Sequence, residues 1–227
     1  MSIANKKELI KEKVKKDHGC DTVCVRCTKV DRLIDLMYDS NIPVGYWFLT
    51  MKEFSGAEEI KEIFDNYVSN LKDKYTKGES ICFAGSQGTG KTMASICILK
   101  EALKKGFSCY YTTASDILNN MTDYKNSSEL RTTLRTTDFL VIDELDSRFF
   151  TSDSVKELFS SIYENVFRFR AHNLMPTIIC TNETDGVLNV FRGAGVQSIE
   201  SLNHQYLTIY PVVGPDFRKR QGNNNAE

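Results

Sequence analysis

The sequence lacks any long hydrophobic run, and this absence excludes whole classes of protein. No apolar stretch approaches the roughly 18 residues that a membrane-spanning helix needs. The N-terminal stretch MSIANKKELIKEKVKKDHG is charged and has no apolar core of the kind found in secretory signal peptides. We therefore expect a cytoplasmic protein that does not act on a membrane.

An excess of charge of either sign is also missing. The chain has 29 Lys and Arg residues against 30 Asp and Glu residues, which gives a formal net charge of −1. This balance argues against a protein that coats nucleic acid through bulk charge. Local basic groups remain in the Lys-rich first helix and at Arg218, Lys219 and Arg220, and they are interpreted either as solvated surface or as local contact patches.

Paired cysteines are not expected either. The seven cysteines are an odd number, and most lie in strand-like or helical segments where they resemble small buried hydrophobic residues. With 41% hydrophobic and 26% charged residues, the 227-residue chain fits one main core with a small appendage.

A glycine-rich stretch, CFAGSQGTGKTMAS, carries the clearest chemical signal. It fits G-x-x-x-x-G-K-[ST], in which backbone N–H groups and the lysine bind the phosphates of a nucleotide and the Thr hydroxyl can bind Mg²⁺. A strand-like segment precedes it and a helical one follows, which is the context that the motif requires, so a glycine turn without a ligand is the weaker alternative. The predicted ATP-binding residues are Gly85, Ser86, Gln87, Gly88, Thr89, Gly90, Lys91 and Thr92.

Two further apolar strands end in polar residues. FLVID delivers Asp143 to the carboxyl edge of a sheet, where it can hold the water shell of Mg²⁺, with Glu144 beside it to polarise an attacking water. PTIIC is followed by Thr181 and Asn182, and Asn182 is predicted to sense the γ-phosphate or orient the water. Taken alone, the Thr-Asn pair is more typical of a turn or a helix cap, but its position after the other two motifs favours the role at the γ-phosphate.

The order of the segments predicts an α/β fold. From residue 57 onward, helical segments alternate with short apolar strands, which favours a parallel sheet with helices on both faces. We divide the chain into an N-terminal helical and cysteine-bearing segment (1–56), an ATPase domain (57–215) and a basic and polar tail (216–227).

A cysteine cluster in the N-terminal segment predicts a metal site. HGCDTVCVRC places Cys20, Cys24 and Cys27 beside His18. The three cysteines, with His18 or another residue as fourth ligand, can close a tetrahedral Zn²⁺ site. Free thiols are the main alternative. The spacing also occurs in the cluster-binding loop of radical S-adenosylmethionine enzymes, but the partial barrel those enzymes need does not follow.

The series GSQGTGKT, YYTTASDIL, DFLVIDEL and IICTNE resembles the bacterial helicase loaders of the DnaC and DnaI type and their transposition-helper relatives, which are AAA+ ATPases. The resemblance covers roughly residues 42–213. It implies a P-loop sheet of order 5-1-4-3-2 without a C-terminal lid domain, Walker A at Gly85–Thr92, Walker B at Asp143 and Glu144, and sensor 1 at Asn182. It also implies ATP and Mg²⁺ as cofactors, ATP-dependent self-assembly, and an N-terminal segment that binds a replicative DNA helicase.

One departure from the family concerns the arginine that reaches the nucleotide of a neighbouring subunit. Ser201, in QSIESLNHQYL, stands where that arginine is expected. Arg192 is the remaining arginine between Asn182 and the last strand, and it either substitutes or is an ordinary surface residue. Turnover is therefore expected to be slow, or the catalytic arginine has moved.

The nucleotide-binding motifs predict an ATPase, and the family resemblance implies that it loads a replicative helicase and binds single-stranded DNA. A transposition helper and a low-turnover nucleotide switch remain as alternatives, whereas a small-molecule kinase is disfavoured because no lid with clustered arginines follows the sheet. For the DNA contact, Arg148 could bind phosphate beside Phe149 and Phe150. The alternative is that the two phenylalanines pack the next helix against the sheet.

Overall fold

The computed structural model describes residues 2–19, 24–121, 127–150, 152–184 and 197–217. Its helices are α1 (Ile3–Asp17), α2 (Val25–Asp39), α3 (Glu58–Ser69), α4 (Leu71–Lys77), α5 (Lys91–Lys104), α6 (Ala114–Met121), α7 (Ser127–Thr136), α8 (Asp153–His172) and α9 (Gln197–Tyr206). Its strands are β1 (Ser80–Gly85), β2 (Cys109–Thr113), β3 (Phe139–Asp143), β4 (Thr177–Thr181) and β5 (Leu207–Val212). Two single-turn 3₁₀ helices span Val44–Tyr46 and Ser147–Phe149.

The five strands form one parallel sheet in the order β2-β3-β4-β1-β5. This is the predicted order 5-1-4-3-2 read from the other edge, so the predicted topology is confirmed. All residues of β1, β3 and β4 are buried, as expected for central strands that are covered on both faces.

Alternate residues of the strands enter two separate cores. Ile81 and Phe83 of β1 pack on one face with α3 and α5, while Cys82 and Ala84 pack on the other face with α8. Because successive side chains of a strand point to opposite faces of the sheet, one short strand contributes residues to both cores. The N-terminal segment joins the first core, which includes Ile34, Met37, Ile42 and Trp47.

Local sequence explains where several elements begin and end. The side chain of Ser152 accepts a hydrogen bond from the N–H of Val155 and caps α8. The stretch 57–75 reads as one helix but forms two, because the side chain of Asn70 donates to the carbonyl of Asn66 and its backbone leaves the helical region. Gly78 ends α4 in the left-handed conformation.

Ion pairs join the two N-terminal helices. On α1, Lys7 and Lys11 contact the same carboxylate oxygen of Asp35 on α2, at 3.0 and 2.6 Å, and Lys15 lies 2.9 Å from Asp31. Part of the basic charge of α1 is therefore matched within the chain. Over the part of the chain that the structure describes, no helix is long and apolar enough to cross a membrane.

Candidate nucleotide site

An open cleft of about 620 Å³ lies at the carboxyl edge of the sheet. The first turn of α5, the ends of β3 and β4 and the segment before α3 meet there. Of the residues predicted from sequence, the cleft is lined by Gln87, Gly88, Gly90, Lys91, Thr92, Asp143, Glu144 and Asn182. The N-terminus of α5 opens into the same space, and a helix N-terminus offers N–H groups and a positive dipole end to an anion.

The loop between β1 and α5 has the backbone that its glycines permit. Gly88 and Gly90 have φ angles of 76° and 100°, a region that other residues adopt only at a cost in strain. Thr89 is fully buried, and its hydroxyl donates to the carbonyl of Ser86 at 3.0 Å, which holds the loop closed on itself. The predicted phosphate loop therefore has a defined conformation that its own hydrogen bond holds.

Lys91 is buried and bonded within the loop. Its ammonium group donates to the carbonyls of Gly85 and Ser86, both at 2.7 Å, and to Oδ1 of Asn182 at 3.1 Å. Burial lowers the pKa of this lysine, while nearby acidic groups including Asp143 act in the opposite direction. Lys91 thus links the phosphate loop to the end of β4.

Asp143 is held by two hydrogen bonds. Its Oδ2 accepts from the hydroxyl of Tyr111 on β2 at 2.9 Å, and its Oδ1 accepts from the backbone N–H of Glu144 at 2.8 Å. Burial, followed by the charge of Asp143, raises the pKa of Tyr111, so its hydroxyl remains a donor. With Thr92 on the same cleft, Asp143 gives the oxygen donor set that Mg²⁺ prefers.

Glu144 has an uncommon backbone conformation. Its φ of 53° lies in the left-handed region, which is uncommon for a residue with a side chain and clusters at active sites. Partial burial raises the pKa of this carboxyl, with a further contribution from Asp143, while Arg148 acts in the opposite direction. A carboxylate with a raised pKa is a better proton acceptor near neutral pH.

Sequence reasoning missed Asp146. This residue is buried and accepts two hydrogen bonds from Asn182, and its carboxylate also pairs with Arg148 at 2.8 Å. The only signal in the sequence was a third acid in the stretch DELDS, which is equally typical of a solvated turn.

Contacts from the two ends of the predicted domain (57–215) were also missed. The ring of Phe54 lies against Gly90, so closely that a Cβ there would come within 2.4 Å of it. The N–H of Ala57 donates to the carbonyl of Thr89, and the N–H of Phe217 donates to the carbonyl of Gly88, both at 3.1 Å. Both phenylalanine rings line the cleft, so chain segments on either side of the domain contact the loop.

In the predicted DNA-contacting turn, Phe150 and Arg148 lie in different surroundings. Phe150 packs on Phe159 of α8, with ring centroids 5.0 Å apart, as the core-packing alternative predicts. Arg148 lines the cleft. Of the two residues considered for the trans-acting arginine, Ser201 is exposed on α9, and Arg192 lies outside the described residues.

The cysteine cluster brings three of its four predicted ligands together. Nδ1 of His18 lies 3.8 Å from Sγ of Cys24 and 3.5 Å from Sγ of Cys27, and the three ligand atoms lie within 4.8 Å of one another. Bond lengths of about 2.3 Å to sulfur and 2.0 Å to nitrogen place tetrahedral ligand atoms about 3.5–3.8 Å apart, so the cluster fits Zn²⁺. Cys20 lies outside the described residues.

Sequence comparison with known proteins finds a matching family model and curated relatives. A family model described as "IstB-like ATP binding protein" matches residues 65–184. An insertion sequence IS5376 ATP-binding protein of Geobacillus stearothermophilus is 28% identical over 148 residues, which cover 63% of this chain and 57% of that protein. The replicative helicase loader DnaC of Escherichia coli K12 is 27% identical over 165 residues, which cover 70% of this chain and 61% of the loader.

The chain thus spans about three fifths of the length of these curated relatives. Among solved structures, a crystal structure of DnaI superposes with a TM-score of 0.60 at 17% identity, covering 77% of this chain and 93% of that one. A likeness at this identity shows a shared fold. The resemblance stated from the motifs is confirmed.

Proposed function

The chain belongs to the IstB-like ATP-binding protein family. We propose that it is an AAA+ ATPase that loads a replicative DNA helicase, as the relative DnaC is named to do. The observation that carries the ATPase part is the meeting of Lys91, Asp143, Glu144 and Asn182 around one cleft. These residues come from three separate segments of the chain, and each has the chemistry that phosphoryl transfer to water requires.

The proposed reaction follows from these positions. Lys91 leaves its loop carbonyls to bind the β- and γ-phosphates, since phosphate is the stronger acceptor for an ammonium group. Glu144 accepts a proton from water as the water oxygen bonds to the γ-phosphorus, and the bond to the β–γ bridging oxygen breaks to release ADP. Thr92 and Asp143 would hold Mg²⁺, which supplies charge neutralisation between the phosphates.

The helicase part rests on the DnaC relative and on the order of segments. DnaC is named a replicative helicase loader, and its match covers 70% of this chain. In this chain, a pair of helices joined by ion pairs precedes the ATPase domain. We assign the helicase contact to that pair, with Zn²⁺ held by His18, Cys20, Cys24 and Cys27 as its staple. Cytoplasmic location, single-strand binding and ATP-dependent assembly belong to the same proposal.

A binding assay tests the helicase contact. The purified chain, loaded with a non-hydrolysable ATP analogue or with ADP, is passed over the immobilised replicative helicase of its host. We expect retention that depends on the nucleotide and is lost in Lys91→Ala, while Lys72→Ala, an exposed lysine of α4, behaves as wild type. Equal failure to bind in both nucleotide states would contradict the loader assignment.

A transposition helper is the second candidate. The family description and the Geobacillus relative, which is named an insertion sequence protein, favour it. The same ATPase would then act on a transposase. Retention by the transposase of a neighbouring insertion element, with no retention by the helicase, would select this function.

A further inference from the structure

Asp146 occupies a central place between two elements of the cleft. It lies in the turn after β3, only 2% exposed, and its carboxylate faces the end of β4. Oδ1 accepts from the backbone N–H of Asn182 and Oδ2 accepts from the side-chain Nδ2 of the same residue, both at 2.7 Å. The hydroxyl of Thr181 lies 3.4 Å from Oδ1.

The contacts of Asn182 fix the orientation of its amide. Its Oδ1 accepts from the ammonium group of Lys91 at 3.1 Å, while its Nδ2 donates to Asp146. The flipped amide would set its N–H groups against an ammonium group and its oxygen against a carboxylate, and both contacts are repulsive. A cation on one side and an anion on the other therefore determine which way Asn182 points.

This orientation has a consequence for a bound triphosphate. An amide nitrogen carries two N–H groups, and Asp146 engages one of them. The second is available to donate to a γ-phosphate oxygen or to the attacking water when Lys91 turns to the phosphates. Without Asp146, the side-chain and backbone N–H groups of Asn182 lose their acceptor, and only the contact with Lys91 then orients the amide.

We propose that Asp146 is a positioning residue that orients the Asn182 amide toward the γ-phosphate, and so makes the site distinguish ATP from ADP. The inference rests on the proposed ATPase function. Arg148 contributes to the arrangement, because its guanidinium group, 2.8 Å from Oδ2, offsets part of the buried negative charge of Asp146.

A neutral isostere tests the proposal by nucleotide binding, without need of turnover. Asp146→Asn replaces one acceptor oxygen by an NH₂ group that repels a donor of Asn182 or Arg148. We expect the ratio of the ADP dissociation constant to that of a non-hydrolysable ATP analogue to fall by about tenfold, the size of one hydrogen bond to a charged group. The ADP dissociation constant itself should stay within about threefold of wild type, since ADP has no γ-phosphate for Asn182 to contact.

A matched control and a double variant separate positioning from mere support of the fold. Asp73→Asn makes the same chemical change at a surface aspartate that is 55% exposed, and it should leave the ratio unchanged. Asp146→Asn combined with Asn182→Ala should show the same ratio as Asn182→Ala alone, because Asp146 acts through Asn182. If Asp146→Asn fails to fold by thermal melting, Asp146→Ser, which is smaller and keeps one acceptor, is measured in its place.

The outcomes distinguish this inference from the function on which it rests. Wild-type protein that prefers the ATP analogue, with an unchanged ratio in Asp146→Asn, would overturn the positioning role alone. The positioning role would also be overturned if the ratio in the double variant fell by the product of the two single-variant effects. Wild-type protein that binds neither nucleotide would overturn the proposed function and this inference together.

Discussion

Lys91 and Asn182, which are separated by 91 positions in the chain, are joined by a 3.1 Å hydrogen bond across the sheet edge. The bond connects the first residue of α5 to the residue that follows β4, so the two motifs share one local environment. A change in the position of Lys91 in the phosphate loop therefore changes the contacts of Asn182 at the end of β4.

Replacement of this lysine should weaken nucleotide binding. Lys91→Ala removes the mobile cation that neutralises the phosphates, and we expect a loss of affinity for ATP of about tenfold or more, as for a charge-assisted hydrogen bond. Fluorescence titration with a labelled ATP analogue measures it, with Lys72→Ala as the control. Wild-type affinity in Lys91→Ala would contradict the assignment.

Glu144→Gln should separate binding from hydrolysis. The amide cannot accept a proton from water, so turnover should fall by about 10²-fold or more while the affinity for ATP is retained. Release of phosphate under saturating ATP gives the rate. Glu157→Gln, an exposed position on α8, serves as control, and hydrolysis at the wild-type rate in Glu144→Gln would remove Glu144 from the mechanism.

The pH dependence of turnover should reflect the raised pKa of Glu144. The carboxyl must be ionised to accept a proton, so the rate should fall on the acid side at a pH above the ordinary glutamate range. Arg148→Ala removes a positive charge that favours the ionised form, which raises the pKa further and shifts the acid limb to higher pH. A shift to lower pH would contradict the electrostatic argument.

The metal prediction is tested by elemental analysis. Protein purified without chelator should carry about one Zn²⁺ per chain, and Cys24→Ser should lose it while ATP binding is retained. Cys97→Ser provides the comparison, because Cys97 is a buried thiol of α5 outside the cluster. Equal metal content in the two variants would exclude the cluster as the site.

A buried arginine that contacts the starts of β3 and β4 should contribute strongly to the free energy of unfolding. Arg170 of α8 is fully buried and donates to the Thr177 hydroxyl and to four carbonyls, those of Leu134, Thr137, Asp138 and Pro176. Arg170→Met leaves these acceptors without their donor and should lower the free energy of unfolding by about 3 kcal/mol or more. Arg168→Met, which removes a surface ion pair with Glu164, should cost about 1 kcal/mol or less. Similar losses in urea unfolding would contradict this difference.

The sequence was most informative where a function depends on a short continuous segment. The phosphate loop, the FLVID strand and the strand before Asn182 could all be placed, because an apolar run followed by a polar residue marks the end of a buried parallel strand. The helix Asp153–His172 also has local signals, which are its apolar face and its capping Ser152.

The remaining features depend on contacts between distant parts of the chain. YYTT does not indicate which tyrosine reaches Asp143, since that depends on the register of β2 against β3. In the sequence Asp146 resembles a turn residue, because its hydrogen bond to the residue after β4 forms only in the folded chain. Phe54 and Phe217 lie more than 160 positions apart, and only the folded chain brings both to the loop. The order of the strands was predicted from the family resemblance.

The phosphate loop is bonded on one side to Ala57 and on the other to Phe217, so it is held between the incoming and the outgoing chain. A nucleotide that changed the shape of the loop would therefore displace both flanking segments, and a displacement of either segment would change the affinity for the nucleotide. By thermodynamic linkage, a partner that bound the helices before residue 57 and changed the affinity for the nucleotide would have its own affinity changed by the nucleotide by the same factor.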